Sequence, residues 1–150
     1  MATSIIQYQK IIVAVDFSES SKNVVTRALH MAQQNSASLI LLHVVEYLSP
    51  LSFGDEIIPS PDWLVIEEQL FRQAEKSLAT LAEEMKLNDA TRLISKGSAN
   101  DVIVETARQQ GANLIILGAH GRLGLQRLLG STASSVVRHA PCDVLAVRLQ

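Results

Sequence analysis

The chain has 150 residues, 47% of them hydrophobic and 4% aromatic, with a formal net charge of -2 from 13 basic and 15 acidic side chains. That length fits one domain over residues 1–150, large enough to bury a core without a disulfide or metal staple. The charge balance argues against a general nucleic-acid binder, and the single cysteine, Cys142, excludes an intramolecular disulfide.

Two kinds of segment alternate along the chain. The first short β-branched run, Lys10–Val15, predicts a strand, and its core Ile11-Ile12-Val13-Ala14-Val15 is continuously apolar. Val24, Val25, Ala28, Leu29 and Ala32 then fall on one face of a helix from about Glu19 to Asn35. Ser38–Val44 predicts a second strand. Glu46–Pro61, rich in Ser, Pro and Gly, reads as a surface connection, with a flap near a ligand as the sharper alternative. Leu70, Ala74, Leu78, Leu81 and Met85 mark a long helix from about Asp62.

Thr91–Ser95 predicts the third strand. The next helix opens at Ser98 and Asp101, a capping-box-like start, and stops at Gly111. Asn113–Leu117 predicts the fourth strand. Ala133, Val136, Val137 and Ala140 mark the last helix, closed by Pro141, and Asp143–Val147 the fifth strand. This order predicts an α/β fold with an open, doubly wound parallel sheet covered by helices on both faces. No secretory signal is recognised, and no apolar run reaches the ~18–20 residues that span a bilayer, so a cytoplasmic protein without membrane insertion is expected.

In such a sheet ligands bind beyond the carboxyl ends of the strands, where the strand order switches direction. The loop after the fourth strand is the most informative. Gly118, Gly121, Gly124 and Gly130 allow tight turns and close backbone approach, and Gly130-Ser131-Thr132 opens a helix. Free amides and the positive end of the helix dipole make that start an anion site. Arg122 and Arg127 add positive charge, in a segment from Gly118 onward with four arginines against Asp143 alone. The competing account is that Ser131 caps the helix and the glycines serve turns. No Gly-x-x-x-x-Gly-Lys-[Ser/Thr] occurs, and Asp16-Phe17-Ser18 stands where a dinucleotide fold would carry glycines.

Three separated pieces, Ile11-Ile12-Val13-Ala14-Val15-Asp16-Phe17-Ser18, Leu41-Leu42-His43-Val44, and Gly118-x-x-Gly121 followed by Gly130-Ser131, resemble the universal stress protein family. The resemblance covers essentially the whole chain. It implies a five-stranded parallel sheet in order 3-2-1-4-5, which would bring Asp16 beside the glycine loop. Between Gly121 and Gly130 lie eight residues, one fewer than the commonest family spacing, and Ala119 stands where many members carry serine.

For ATP-binding members the resemblance implies specific roles. Ala14, Val15 and Asp16 would line the adenosine end, and the Val44 backbone would bond the adenine edge. Gly118 would approach the ribose, and His120, Gly121 and Arg122 would run beside the phosphates. Gly130, Ser131, Thr132 and Ala133 would cradle them, with Mg2+ or Mn2+ bridging phosphate oxygens. Bland alternatives stand beside these: Asp16 stabilises the first turn, His43 is a packed histidine, and His120 is a loop contact.

The expected function is thus an ATP-binding stress-response regulator with at most slow hydrolysis, hence not an efficient enzyme. A homodimer paired through Val144, Leu145, Ala146 and Val147 is the expected partner arrangement. The alternative is a nucleotide-free dimeric interaction module of the same family.

Overall fold

The structure, a computed structural model, describes residues 7–46, 61–120 and 129–148. Among these residues five strands and four helices alternate: β1 (Lys10–Ala14), α1 (Ser21–Asn35), β2 (Ser38–Val45), α2 (Pro61–Glu84), β3 (Thr91–Lys96), α3 (Ala99–Gln110), β4 (Leu114–Gly118), α4 (Ser131–His139) and β5 (Asp143–Val147). All four strand pairings are parallel, in the order β3-β2-β1-β4-β5. The expected architecture and strand order are those observed.

The continuous apolar runs are explained by burial on both faces. Successive strand side chains point to opposite sides of the sheet. Ile11, Val13, Leu41, Leu114 and Ile116 pack with Val25 and Ala28 of α1 and Leu78 of α2. Their neighbours Ile12, Ile40, Leu42, Ile115 and Leu117 pack with Ile103 and Ala107 of α3 and Val136 of α4. The inner strands β1, β2 and β4 therefore carry continuous apolar runs, the edge strand β3 holds Thr91, Arg92, Ser95 and Lys96, and each helix needs only one stripe.

Several boundaries differ from the sequence expectation, each for a local reason. β1 ends at Ala14, one residue early, because only the amide of Val15 continues the ladder, onto the Leu42 carbonyl at 2.9 Å. α1 starts at Ser21 rather than Glu19. Phe17 turns the chain with a φ of 61°, and the Asp16 carboxylate accepts from the Ser18 amide at 2.9 Å and the Ser21 hydroxyl at 3.2 Å. β2 and β3 each run one residue further than expected, since Val45 pairs with Lys96. α3 follows Ser98 and stops at Gly111, whose φ of 64° suits a residue without a Cβ. Ser98 spends its hydroxyl on Asn100 rather than on a backbone amide. The stretch 47–60 of the expected surface connection lies outside the described residues.

Candidate functional site

The switch in strand direction falls between β1 and β4. From β1 the chain winds outward to β2 and β3, then crosses to β4 and β5 on the other side. β4 stays paired with β5 up to Gly118 and Val147, but its pairing with β1 ends at Val13 and Ile116. The β1–β4 ladder therefore ends before either strand does, at the switch point where this topology calls for a ligand crevice.

Asp16 stands at the β1 side of that crevice, half-buried, with its carboxylate engaged by the first turn. The turn-stabilising role weighed for Asp16 is thus a real part of its environment. Ala14 is half-buried and Val15 buried beside it, and half-buried Val44 ends the neighbouring strand.

On the β4 side, the Ala119 amide donates to the Val147 carbonyl at 2.8 Å, which prolongs the β4–β5 ladder. The Ala119 carbonyl in turn accepts from the Gly130 amide at 2.7 Å. This pair of bonds pins the start of α4 to the end of β4. Gly130 is the residue that caps α4, with φ -61° and ψ 162°, and its carbonyl accepts the first helical bond from Ser134 at 2.9 Å. Ser131 therefore sits inside the helix and does not cap it. The amides of Ser131, Thr132 and Ala133 belong to the first turn, where no carbonyl of the helix can reach them. Ser131 is exposed, Thr132 half-buried and Ala133 buried. Among the described residues no side chain caps this end.

His120 follows Ala119. Its Nδ1 is buried and has no hydrogen-bond partner among the described residues. A buried polar atom left unpaired costs on the order of 1–3 kcal/mol, so this atom suits a site that a ligand completes. Gly121 and Arg122, with Gly124 and Arg127, lie outside the described residues.

Two side chains at this end of the sheet were not read as part of the site. His43 donates from Nδ1 to the Val15 carbonyl at 2.7 Å, and its ring meets Phe17 with centroids 4.1 Å apart. A polar residue closing an apolar strand run was the signal available in the sequence. A cavity of about 320 Å³ lies beside this turn, lined by Phe17, Lys22, Lys76 and Glu84. A second, of about 420 Å³, lies between α3 and α4 and is lined by Asn100, Ser135 and His139. Neither is bounded by Gly118 or Gly130, so the strand-end geometry, rather than either hollow, defines the candidate site. Among the described residues no cluster of three His, Cys, Asp or Glu side chains is placed to hold a metal ion, and no helix is long and apolar enough to cross a membrane.

Comparison with known proteins agrees with this architecture. The family model described as the universal stress protein family matches residues 7–148. Universal stress protein A homolog 2 of Coxiella burnetii is 35% identical over 144 residues, 95% of this chain and 97% of that protein. The solved structure of universal stress protein UspA from Lactobacillus plantarum is 30% identical, covers 96% of this chain and 100% of its own, and superposes with a TM-score of 0.77. A universal stress protein solved in complex with cAMP is 27% identical over 95% of this chain and 98% of its own, with a TM-score of 0.59. On the match of the family model across nearly its whole length, this chain belongs to the universal stress protein family.

Proposed function

We propose that the crevice between β1 and β4 binds ATP, and that the chain acts as a cytoplasmic, nucleotide-dependent stress-response regulator. The observation that carries the reading is the attachment of α4 to the end of β4. Ala119 bonds Val147 on one side and Gly130 on the other, which sets the first amides of a helix at the topological switch point. Those amides and the helix dipole favour the phosphates. Ala14, Val15, Asp16 and Val44 take the adenosine end, and Gly118 lies between the two. His120 Nδ1, unpaired among the described residues, and the cAMP complex of a relative support a ligand of this chemistry.

Mg2+ or Mn2+ would be held mainly by phosphate oxygens and water, as is usual for a nucleotide's divalent cation. Efficient hydrolysis requires a base positioned on a water. The one carboxylate at the end of β1, Asp16, is occupied by Ser18 and Ser21, so the reading is of a binder with at most slow turnover. β5 is an edge strand whose Val144, Leu145 and Ala146 are only half-buried. It is the surface through which a homodimer would form.

The test is mass spectrometry of nucleotide released from the freshly purified protein, repeated on Gly130→Val. The φ of Gly130 is open to any residue, so the added side chain changes the space before the α4 amides and leaves the backbone unstrained. Adenine nucleotide in the parent and none in the variant is the expected result. A parent that is empty and ignores added ATP with magnesium sinks the reading and leaves a nucleotide-free interaction module.

A further inference from the structure

The ladder between β1 and β2 is cut off by a side chain. In a parallel pair, alternate residues of one strand direct both N–H and C=O to the same neighbour. Ser38 donates its amide to the Gln9 carbonyl and Leu42 accepts the Val15 amide, each at 2.9 Å, so the even-numbered residues of β2 face β1. The odd-numbered residues face β3, as in the 3.2 Å bond from the Gly97 amide to the Val45 carbonyl.

By that alternation Val44 faces the β1 side, and its amide is next in register for the Val15 carbonyl. That bond is not made, because the register ends at Ala14 and Leu42. The Val15 carbonyl accepts from His43 Nδ1 instead, at 2.7 Å. A carbonyl only accepts, so Nδ1 carries the hydrogen. Phe17 packs beside the imidazole. Its ring lies 4.1 Å from the histidine ring, on a backbone whose φ of 61° a bulky residue seldom adopts.

We propose that His43 is a positioning residue for base recognition. By occupying the Val15 carbonyl, its imidazole keeps the N–H and C=O of Val44 turned to the crevice. That adjacent donor and acceptor match the ring-nitrogen acceptor and amino donor on the edge of adenine. The inference rests on the nucleotide reading above and adds what holds the base-reading backbone in place.

The test uses the full chain, with ATP and ITP as calorimetric probes. Hypoxanthine presents a carbonyl and an N–H where adenine presents an amino group and a ring nitrogen, so ITP reverses the edge. The parent should prefer ATP. His43→Leu should shrink that preference about tenfold, the scale of one hydrogen bond, with affinity for inorganic tripolyphosphate unchanged. His43→Asn, whose amide nitrogen takes the place of Nδ1, should restore it. Should His43→Leu fail to fold, His43→Gln, which moves the amide one bond outward, replaces it in the same comparison.

Hydrogen exchange without ligand supplies a separate readout. The Val44 amide should exchange fast in the parent and slowly in His43→Leu, as it closes onto the Val15 carbonyl. A Val44 amide already protected in the parent, or a leucine variant with the full ATP preference, overturns the positioning role. Exchange as expected in a parent that ignores ATP overturns the nucleotide reading instead.

Discussion

The two ends of the sheet are built on opposite rules. At the amino ends several polar groups are paired across elements. The Asn113 side-chain carbonyl accepts from the amides of both Gln9 and Lys10 at 2.7 Å, and Lys10 Nζ reaches the Gln110 carbonyl at 2.9 Å. The Asn35 side chain takes the Tyr8 amide, and the Tyr8 hydroxyl donates to Asp143 at 2.8 Å. At the carboxyl ends the β1–β4 ladder stops before either strand does, Phe17 holds a left-handed φ, and His120 Nδ1 is buried without a partner among the described residues. One end spends these groups on holding the strands in register. The other leaves His120 Nδ1 without a partner among the described residues, a condition that suits binding something else.

Substitutions can break this contrast. The largest effect is expected midway between the ends, where Ile116 is 0% exposed. Ile116→Ala should lower unfolding stability by about 2–5 kcal/mol in urea titration, through lost burial and a cavity. At the amino ends, Asn113→Ala removes the acceptor of two amides. It should cost about 1–2 kcal/mol, softened by water reaching the exposed pair, and leave nucleotide affinity alone. Gly130→Val should do the reverse, with nucleotide affinity down at least about tenfold, equivalent to ~1.4 kcal/mol, and little change in urea midpoint. An Asn113→Ala variant that loses nucleotide, or a Gly130→Val variant that loses mainly stability, would erase the contrast.

Two smaller effects sharpen it. Cys142 enters β5 at the amino end, and burial, then the charge of Asp143, raises its thiol pKa. At neutral pH the folded protein should alkylate more slowly than the urea-unfolded chain, with the rate rising only at alkaline pH. Equal rates would mean that this end is open. The smallest effect belongs to Tyr8, whose phenol pKa is raised first by its hydrogen bond to Asp143, then by burial and by that carboxylate's charge. A raised folded pKa contributes stability below the unfolded value, near 10, and loses it as pH climbs through the folded one. Tyr8→Phe should therefore lie slightly below the parent in denaturation midpoint at pH 7–9, and the two should converge at higher pH.

The strands and helices were legible because each answers to a short-range pattern. Ile11 to Val15 and Leu114 to Leu117 are apolar without a break, as two-faced burial demands, and Val24, Val25, Ala28 and Ala32 repeat at helical spacing. The glycine-led start of α4 was legible for the same reason. Gly130 just before a periodic apolar stripe signals a helix opening, and the competing account in which Ser131 caps that helix fails, because Gly130 does.

The sequence by itself determined the α/β alternation, the apolar faces and the residues available at the strand ends, because local chain chemistry sets all three. Its family resemblance carried the strand order, which the structure bears out. Only the tertiary structure decided that the β1–β4 ladder stops at Val13 and Ile116, and that Ala119 ties α4 to β5. It alone decided that the Val15 carbonyl goes to His43 rather than to Val44. Those are hydrogen-bond choices between segments distant in the chain, such as Val15 and His43 at 28 residues apart. No local pattern encodes which of two donors reaches a carbonyl first, because the choice rests on how the packed strands twist and part.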